Sequence, residues 1–90
     1  MRVEFFAYMR ELTGCAETDV PLCSTIRDLI SILSKRYGQT FGDKLLTPHG
    51  ELGPEIIIMI SGRHIVHLGG IDAPLKDNDI IQILPMAEDG

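Results

Sequence analysis

The sequence predicts an α+β fold in which a mixed sheet of four or five strands carries one main helix on one face. Three segments predict it: an alternating stretch at residues 2–8, a capped amphipathic helix at 26–37, and an apolar run at 80–84. A helix with one apolar stripe and a sheet with one apolar face bury both surfaces when they pack together. The sequence therefore favours a single two-layer domain.

The composition limits the possible functions. The chain has 90 residues, 44% of them apolar, which suffices for one modest core. Its net charge of −5 argues against a nucleic-acid partner, because phosphate binding needs a basic face. No apolar run approaches the roughly 20 residues of a membrane span, and Glu4 and Arg10 interrupt the N-terminal stretch, so we expect no signal peptide. We expect a cytoplasmic protein that binds neither nucleic acid nor membrane.

Residues 2–8 alternate in the manner of a strand. The odd-numbered side chains from position 3 onward are apolar and are expected to face the core, so the aromatic rings of Phe6 and Tyr8 are expected to face outward. Residues 9–14 are predicted to be a short connection to a second strand near 17–22. The two strands are expected to pair as an antiparallel hairpin.

The helix has clear signals at both ends. Thr25 is a suitable N-cap, with Asp28 at the capping-box position. Gly38 fits the position just beyond the last turn. The apolar side chains recur at the spacing of one helical face and are Ile26, Leu29, Ile30, Leu33 and Tyr37.

The second half of the chain supplies the remaining strands. The predicted elements are, in order, a loop with one helical turn at 38–54, a strand at 55–61, a tight turn and short return strand at 61–68, a loop at 69–78, and a last strand at 79–84. The strand at 55–61 is apolar on both faces, which favours a central or covered position.

The order is thus a hairpin, a crossing helix and further strands, in which the first and last strands can lie parallel at the centre of the sheet. This is the β-grasp, ubiquitin-like architecture. The domain is predicted to cover residues 1–84 and to be followed by a flexible tail at 85–90, which consists of Pro85, Met86, Ala87, Glu88, Asp89 and Gly90. Six extended residues reach up to about 20 Å, far enough to enter another protein's active site.

Two segments resemble a known family. Residues 5–14 read Phe-Phe-Ala-Tyr-Met-Arg-Glu-Leu-Thr-Gly, and residues 68–79 read Leu-Gly-Gly-Ile-Asp-Ala-Pro-Leu-Lys-Asp-Asn-Asp. Both resemble segments of the MoaD/ThiS-type ubiquitin-like sulfur carriers, above all the small subunit of molybdopterin synthase, and the similarity extends over essentially the whole chain. The resemblance implies a β-grasp fold and a non-catalytic sulfur-carrier subunit.

The resemblance also implies the chemistry. In that family a MoeB/ThiF-type adenylating enzyme uses ATP and magnesium to activate the carboxylate of the terminal glycine, here Gly90, which is then converted to a thiocarboxylate. The sulfur is delivered to a molybdopterin precursor in complex with a larger, MoaE-like subunit. The carrier itself needs no cofactor or metal. Glycine suits the modified position because it lacks a Cβ and permits close approach.

The tail departs from the family pattern. The family ends in Pro-Pro-Val-(Ala/Thr)-Gly-Gly, whereas residues 85–90 read Pro-Met-Ala-Glu-Asp-Gly. The tail has the same number of residues after the last strand as the family tail, so we expect Gly90 to be the true end. However, Asp89 replaces the penultimate glycine and adds bulk and charge next to the carboxylate, and Glu88 adds a second charge. Two interpretations stay open: a partner channel that is wider and basic, or a carrier that is not activated.

A second candidate site is the predicted outer face of the sheet. If the first and last strands are parallel neighbours, side chains on that face lead into the tail, and an apolar patch beside a reactive terminus suits partner docking. The candidate interface residues are Phe6, Tyr8, Arg10, Ile80, Gln82 and Leu84, with Arg10 as a polar contact at the rim.

The two closely spaced histidines predict no metal site. His64 and His67 are three residues apart in a predicted strand, so their side chains are expected to point to opposite faces.

Two other functions remain open at this stage. The chain can be a protein modifier that is joined through Gly90 to lysines of target proteins, or a β-grasp binding module in which Asp89 prevents activation. The sulfur acceptor can be a molybdenum or tungsten pterin, a thiazole or a tRNA, of which the two resembling segments favour the pterin.

Overall fold

The computed structural model describes residues 1–86, which form five strands and three α-helices. They follow one another as β1 (Arg2–Phe5), α1 (Tyr8–Thr13), β2 (Glu17–Asp19), α2 (Ile26–Tyr37), α3 (Gln39–Leu45), β3 (Ile56–Ile60), β4 (Arg63–His64) and β5 (Ile80–Pro85), with 3-10 turns at Ile65–His67 and Gly70–Asp72. Within these residues, no helix is both long and apolar enough to cross a membrane.

The strands form one mixed sheet in the order β2-β1-β5-β3-β4. β1 and β5 are parallel at its centre, and the other neighbours are antiparallel. The predicted hairpin, the predicted parallel pairing and the α+β, β-grasp class are therefore confirmed.

The core lies between one face of this sheet and α2. The inward side chains of the two central strands are Val3, Phe5, Ile81 and Ile83, all fully buried. From the opposite side, α2 contributes Ile26, Leu29, Ile30 and Leu33, also fully buried. Burial of these aliphatic and aromatic groups is the main driving force for the fold.

The ends of α2 are fixed by the residues that the sequence indicates. The Thr25 hydroxyl oxygen accepts a hydrogen bond from the Asp28 N–H at 3.3 Å, which satisfies one of the unpaired donors of the first turn. Gly38, with φ 102°, follows the last turn, and its N–H donates to the Ser34 carbonyl at 2.8 Å. Local sequence thus determines this helix.

The prediction is wrong immediately after Phe5. β1 ends there, and α1 replaces the predicted strand end and connection. Ala7 is exposed instead of facing the core and has φ 54° and ψ −135°, a conformation that is costly for a residue with a Cβ. The turn at Ala7 places Met9 in the core, where it is fully buried. Burial of Met9 outweighs the local alternation that favours a longer strand.

The predicted loop with one helical turn is instead the two-turn helix α3. Its apolar residues Phe41 and Leu45 are four positions apart and share one buried face. The Phe41 ring makes edge-to-face contacts with Phe5 and Tyr37, with centroid distances of 5.8 Å and 5.6 Å. α3 therefore closes the end of the core that α2 leaves open.

A glycine allows α3 to approach α2. A Cβ on Gly42 would lie 2.6 Å from the Ser34 Oγ and 3.0 Å from the Ser34 Cβ, closer than a Cβ normally approaches other heavy atoms. The absence of a side chain at this position therefore permits the two helices to pack.

Three predicted strand ends shift. β2 and β4 are shorter than predicted, because the chain leaves the ladder after Asp19 and enters a 3-10 turn after His64. β5 has the predicted length but lies one residue further along the chain, from Ile80 to Pro85, since Pro85 pairs with Ile56.

An ion pair attaches the start of α2 to the turn before β5. Arg27 Nε donates to Asp72 Oδ1 at 3.0 Å, and Arg27 Nη1 donates to the Gly50 carbonyl at 3.3 Å. The hydrogen bond from Arg27, together with its positive charge, lowers the pKa of Asp72.

We predict that Ala7→Gly stabilises the protein. Glycine adopts the backbone conformation at position 7 without the cost of a Cβ, so the free energy of unfolding should rise by about 0.5–1 kcal/mol. Urea denaturation measures the difference. Ala16→Gly is the matched control, because Ala16 has no positive φ, and that variant should be slightly less stable than the wild type. An Ala7→Gly variant no more stable than Ala16→Gly would contradict the prediction.

We predict that Asp72 makes stability depend on pH. Because its pKa is lower in the folded state, the unfolded chain binds more protons in acid, so this contribution is present above about pH 4 and is lost as pH falls through the folded pKa. Asp72→Asn should therefore have a lower urea midpoint than the wild type near neutral pH, with a difference that disappears in acid. Asp77→Asn is the control, since the Asp77 carboxylate makes no ion pair or hydrogen bond within residues 1–86. A difference that is constant with pH would refute the assignment.

Candidate functional site

The side of the sheet opposite α2, here called the outer face, is built from alternate residues of the central strands. The register pairs Glu4 with Gln82 and Gln82 with Met59, and it pairs Leu84 with Ile57. Paired residues point to the same side of a sheet. The outer face therefore consists of rows of side chains that run across β1, β5 and β3.

In the middle row, the residues contributed by β1 and β5 are polar and bonded to each other. Gln82 Nε2 donates to Glu4 Oε1 at 3.1 Å, and Arg2 Nη2 donates to Glu4 Oε2 at 2.7 Å. Arg2 also lies 3.3 Å from Glu17 Oε1. The hydrogen bond from Gln82, followed by the bond and charge of Arg2, lowers the pKa of Glu4 against the opposing effect of burial. Gln82 thus holds a carboxylate that is ionised at neutral pH.

The next row, toward the end of β5, is apolar. Leu84 and Ile57 are direct neighbours and both are half-buried. The Phe6 N–H donates to the Ile83 carbonyl at 3.1 Å, so the first residue after β1 still runs beside β5. Since Phe5 faces the core, alternation directs the Phe6 ring outward, next to Leu84.

Arg10 completes this end of the face. Its Nε donates to the Phe5 carbonyl at 2.8 Å, and its guanidinium carbon lies 5.6 Å from the centroid of the Phe6 ring, within cation–π range. Arg10, the third residue of α1, is therefore held against the end of β1. We call the cluster of Phe6, Arg10, Ile57 and Leu84 the exit patch, because the chain leaves the sheet beside it.

Two predicted interface residues lie elsewhere. Tyr8 belongs to α1 and not to a strand, and its ring lies 5.8 Å from the Lys44 Nζ of α3. Ile80 is 40% exposed on the outer face, but it is the first residue of β5, about 13 Å along the strand from Leu84. The predicted set therefore divides. Phe6, Arg10 and Leu84 come together, Gln82 belongs to the polar row, Tyr8 contacts Lys44 of α3, and Ile80 lies at the other end of β5.

Sequence reasoning missed Ile57 and Met59 as outer-face residues. The strand that contains them is apolar on both faces, as the sequence predicts. That two-sided pattern is the signal that could have found them, since a strand in a two-layer domain needs only one apolar face for the core.

The last described residues remain attached to β3. Pro85 pairs with Ile56, and the Met86 N–H donates to the Glu55 carbonyl at 2.6 Å. The Met86 side chain is 49% exposed. The other predicted tail residues, Ala87, Glu88, Asp89 and Gly90, lie outside the described residues.

The prediction that the two histidines lie on opposite faces of one strand is wrong. His67 is in a 3-10 turn, and its ring centroid lies 6.4 Å from that of His64. His64 Nδ1 accepts a hydrogen bond from the Val66 N–H, so the neutral ring carries its proton on Nε2 and has no free lone pair for a metal. Among residues 1–86, no three His, Cys, Asp or Glu side chains are placed to share an ion.

A thiol and a cleft within residues 1–86 also bear on the choice of site. Burial, followed by the charge of Asp28, raises the pKa of Cys23, which keeps this thiol protonated and weakly nucleophilic. A cleft of about 600 Å³ between α2 and α3 has Ser34 and Asp43 in its lining but no histidine or cysteine. The exit patch, beside the point where the chain leaves β5, is therefore the candidate site.

The chain is similar to known proteins along nearly its whole length. The model of the ThiS family matches residues 3–88. Small archaeal modifier protein 3 of Haloferax volcanii is 29% identical over 92 aligned residues, which cover 100% of this chain and 98% of the relative. A candidate sulfur carrier protein of Archaeoglobus fulgidus is 32% identical over 66 residues, 73% of this chain and 74% of that protein.

A solved structure has the same fold. The structure of a candidate molybdopterin converting factor, subunit 1, from Pyrococcus furiosus matches with a TM-score of 0.75 and 26% identity, over 96% of this chain and 95% of that one. The family match spans nearly the whole sequence, and the relatives align along most or all of it. This chain therefore belongs to the ThiS family of ubiquitin-like sulfur carriers and modifiers.

Proposed function

We propose that this protein is a sulfur carrier whose Gly90 carboxylate is adenylated and then thiocarboxylated by a MoeB/ThiF-type enzyme in the cytoplasm. The carrier then donates the sulfur in molybdopterin biosynthesis, in complex with a MoaE-like large subunit. The observation that carries the proposal is the ThiS family match, which extends to residue 88 of the 90-residue chain. The carrier is a substrate of its partners and catalyses no step itself.

The chemistry explains why the carrier needs activation. A carboxylate resists nucleophilic attack because of its charge. Its oxygen attacks the α-phosphorus of ATP, the bond to the pyrophosphate breaks, and a mixed anhydride with AMP forms. Hydrosulfide then attacks the carbonyl carbon, the carbon–sulfur bond forms, and AMP leaves with the electron pair of the broken carbon–oxygen bond. The ATP and its magnesium belong to the adenylating enzyme.

The charge of the tail indicates what the partner must provide. Glu88 and Asp89 stand next to the terminal carboxylate, so three negative charges enter the partner's active site together. A basic channel lowers the cost of bringing these charges out of water. We therefore assign to the partner a channel that is wider and more basic than one made for two glycines.

The exit patch is the surface that we assign to partner docking. Its apolar side chains lie beside the end of β5, and Arg10 is exposed at its rim. Apolar contacts supply affinity when they are removed from water, and a guanidinium at the edge of such a contact favours a carboxylate of the partner. A partner that covers this patch would hold the start of the tail at its own active site.

The pterin is the acceptor that we favour. Residues 5–14 and 68–79 resemble the molybdopterin synthase small subunit. The similarity to the Pyrococcus furiosus protein, whose name describes a molybdopterin converting factor, also supports a pterin as the sulfur acceptor.

A second candidate function uses the same activated carboxylate. The full-length similarity to small archaeal modifier protein 3 favours a protein modifier. A lysine amine of a target protein then attacks the adenylate in place of hydrosulfide, and an isopeptide bond forms as AMP leaves.

We predict that Gly90 becomes activated. With ATP, magnesium, sulfide and the adenylating enzyme of the same genome, intact-mass analysis should show the carrier gaining the mass difference between sulfur and oxygen. A variant without Gly90 is the control and should show no gain. Asp89→Gly tests whether the protein is instead a binding module in which Asp89 prevents activation. If only this variant reacts while the wild type stays unmodified, the native protein is such a module, and the carrier proposal is wrong.

The modifier function is tested in cell extract. Peptide mapping should reveal lysines that carry a remnant of the Glu-Asp-Gly end if the protein is a modifier. A thiocarboxylate without any such remnants supports the carrier function alone.

We predict that Leu84→Glu weakens docking. A charge in the exit patch disrupts an apolar contact that should be central to the interface, so the KM of the adenylating enzyme for the carrier should rise by about tenfold or more. Ile80→Glu is the matched control on the remote end of the same strand and should change KM by less than about twofold. Thermal unfolding checks that both variants are folded. Equal effects of the two substitutions would contradict the assignment of the exit patch.

A further inference from the structure

We propose that a hollow on the outer face, beside the exit patch, receives a basic side chain of the adenylating enzyme. The hollow has a volume of about 440 Å³ and lies between the side chains of Glu4 and Gln82 and the turn at Ser61 and Gly62, with Ile80 at the border farther from the exit patch. The inference rests on the proposed function, because it concerns the docking of a carrier on the enzyme that activates it.

The polar side chains of the hollow offer hydrogen-bond acceptors. Glu4 is ionised at neutral pH, and its Oε1 accepts one hydrogen bond within residues 1–86, from Gln82 Nε2 at 3.1 Å. A carboxylate oxygen can accept a second bond, so Oε1 has room for another donor. The side-chain oxygen of Gln82 accepts no hydrogen bond within the same residues, and no Lys or Arg lines the hollow. A positively charged side chain with several N–H donors therefore matches it.

The charges around Glu4 favour a cation as well. Arg2 bonds the other oxygen, Oε2, and does not line the hollow. Arg2 also pairs with Glu17, so one positive charge faces two negative charges. The Glu4 side chain is only 19% exposed, so a cation that enters the hollow is separated from the carboxylate by less water than on an open surface. Less water strengthens the attraction between the two charges.

A partner that docks on the exit patch also covers the hollow. Gln82 and Leu84 are two positions apart on β5, so their side chains stand about 7 Å apart on the same face. A stable interface buries roughly 800 Å² on each partner, which extends well beyond this distance. An ionised carboxylate that is covered without a new partner weakens a complex. The enzyme therefore needs a cation opposite Glu4, and a guanidinium can donate to Glu4 and Gln82 together.

The first test removes the charge of Glu4. Glu4→Gln keeps the size of the side chain, and the KM of the adenylating enzyme for the carrier should rise about tenfold or more with kcat unchanged, because the enzyme's cation loses its partner. Glu17→Gln is the matched control. It makes the same change of charge beside the same Arg2 but lies outside the lining of the hollow, so KM should change by less than about twofold. Urea denaturation checks that both variants fold, and equal effects on KM overturn the proposal.

Ile80 does not carry this contact. Ile80→Glu removes apolar surface at the far border of the hollow but adds a second carboxylate there, and it leaves Glu4 and Gln82 in place. The two effects oppose each other, so the expected change in KM for this variant stays below about twofold.

Ionic strength separates a charge contact from a structural effect. The ratio of the KM of Glu4→Gln to that of the wild type should shrink toward one as the ionic strength approaches about 1 M, where the Debye length falls to about 3 Å. The charges of the tail are the same in both proteins and cancel in this ratio. A ratio that is independent of salt means that the substitution acts through the shape of the face, and it overturns the proposal.

Charge exchange tests the cation of the enzyme. Glu4→Lys should raise KM further than Glu4→Gln, because two cations then repel each other. In a set of enzyme variants that each replace one surface Arg or Lys by Glu, one variant should lower the KM for the Glu4→Lys carrier and raise it for the wild-type carrier. If no variant in a complete set does so, the hollow receives no cation of this enzyme.

The carrier function and the cation contact fail separately. A wild type that is adenylated, together with an unchanged KM for Glu4→Gln, refutes the contact and leaves the carrier function intact. If the wild type is not adenylated, calorimetric titration of the enzyme with the full chain in the absence of ATP still measures docking. A Kd about tenfold weaker for Glu4→Gln then supports the contact although the proposed function fails. A wild type that does not bind the enzyme overturns both.

Discussion

The parallel pairing of β1 with β5 is the contact on which the rest of the structure depends. It joins residues that are 78 positions apart, as the hydrogen bond between Gln82 and Glu4 shows. The same register places Val3 and Phe5 beside Ile81 and Ile83, which form the sheet side of the core. Parallel neighbours need a long crossing connection, and α2 supplies the apolar surface that this connection lays across the sheet. Pairing, core and helix therefore form as one cooperative unit.

This pairing also builds the candidate site from both ends of the chain. Because parallel strands end at the same edge of a sheet, the residues that follow β1 meet the last residues of β5. Phe6 and Arg10 come from the first side and Leu84 from the second, with Ile57 beside them on β3. The exit patch and the end of β5 are thus fixed relative to each other by the central ladder. Under the proposed function, the chain would need no catalytic group, because the enzymes that bind this surface and the chain end would supply the chemistry.

The polar row between the two ends of the outer face has a different consequence. Gln82 and Arg2 both donate to Glu4, so a carboxylate stays ionised at the centre of the face. An ionised, internally bonded group costs energy to remove from water. The polar row therefore separates the apolar residues of the exit patch from Ile80, which lies at the opposite end of β5.

The sequence by itself determined the elements whose causes are local. The cap at Thr25, the periodic apolar residues and Gly38 define α2, and the strand with two apolar faces is found where it is predicted. The end of β1, the helices α1 and α3 and the grouping of the interface residues were decided by the tertiary structure. Met9 and Phe41 become helical because the core has room for them there, although nearby residues favour a strand or a loop. Strand neighbours are likewise non-local, since side-chain alternation gives the face of a residue but not which end of which strand lies beside it.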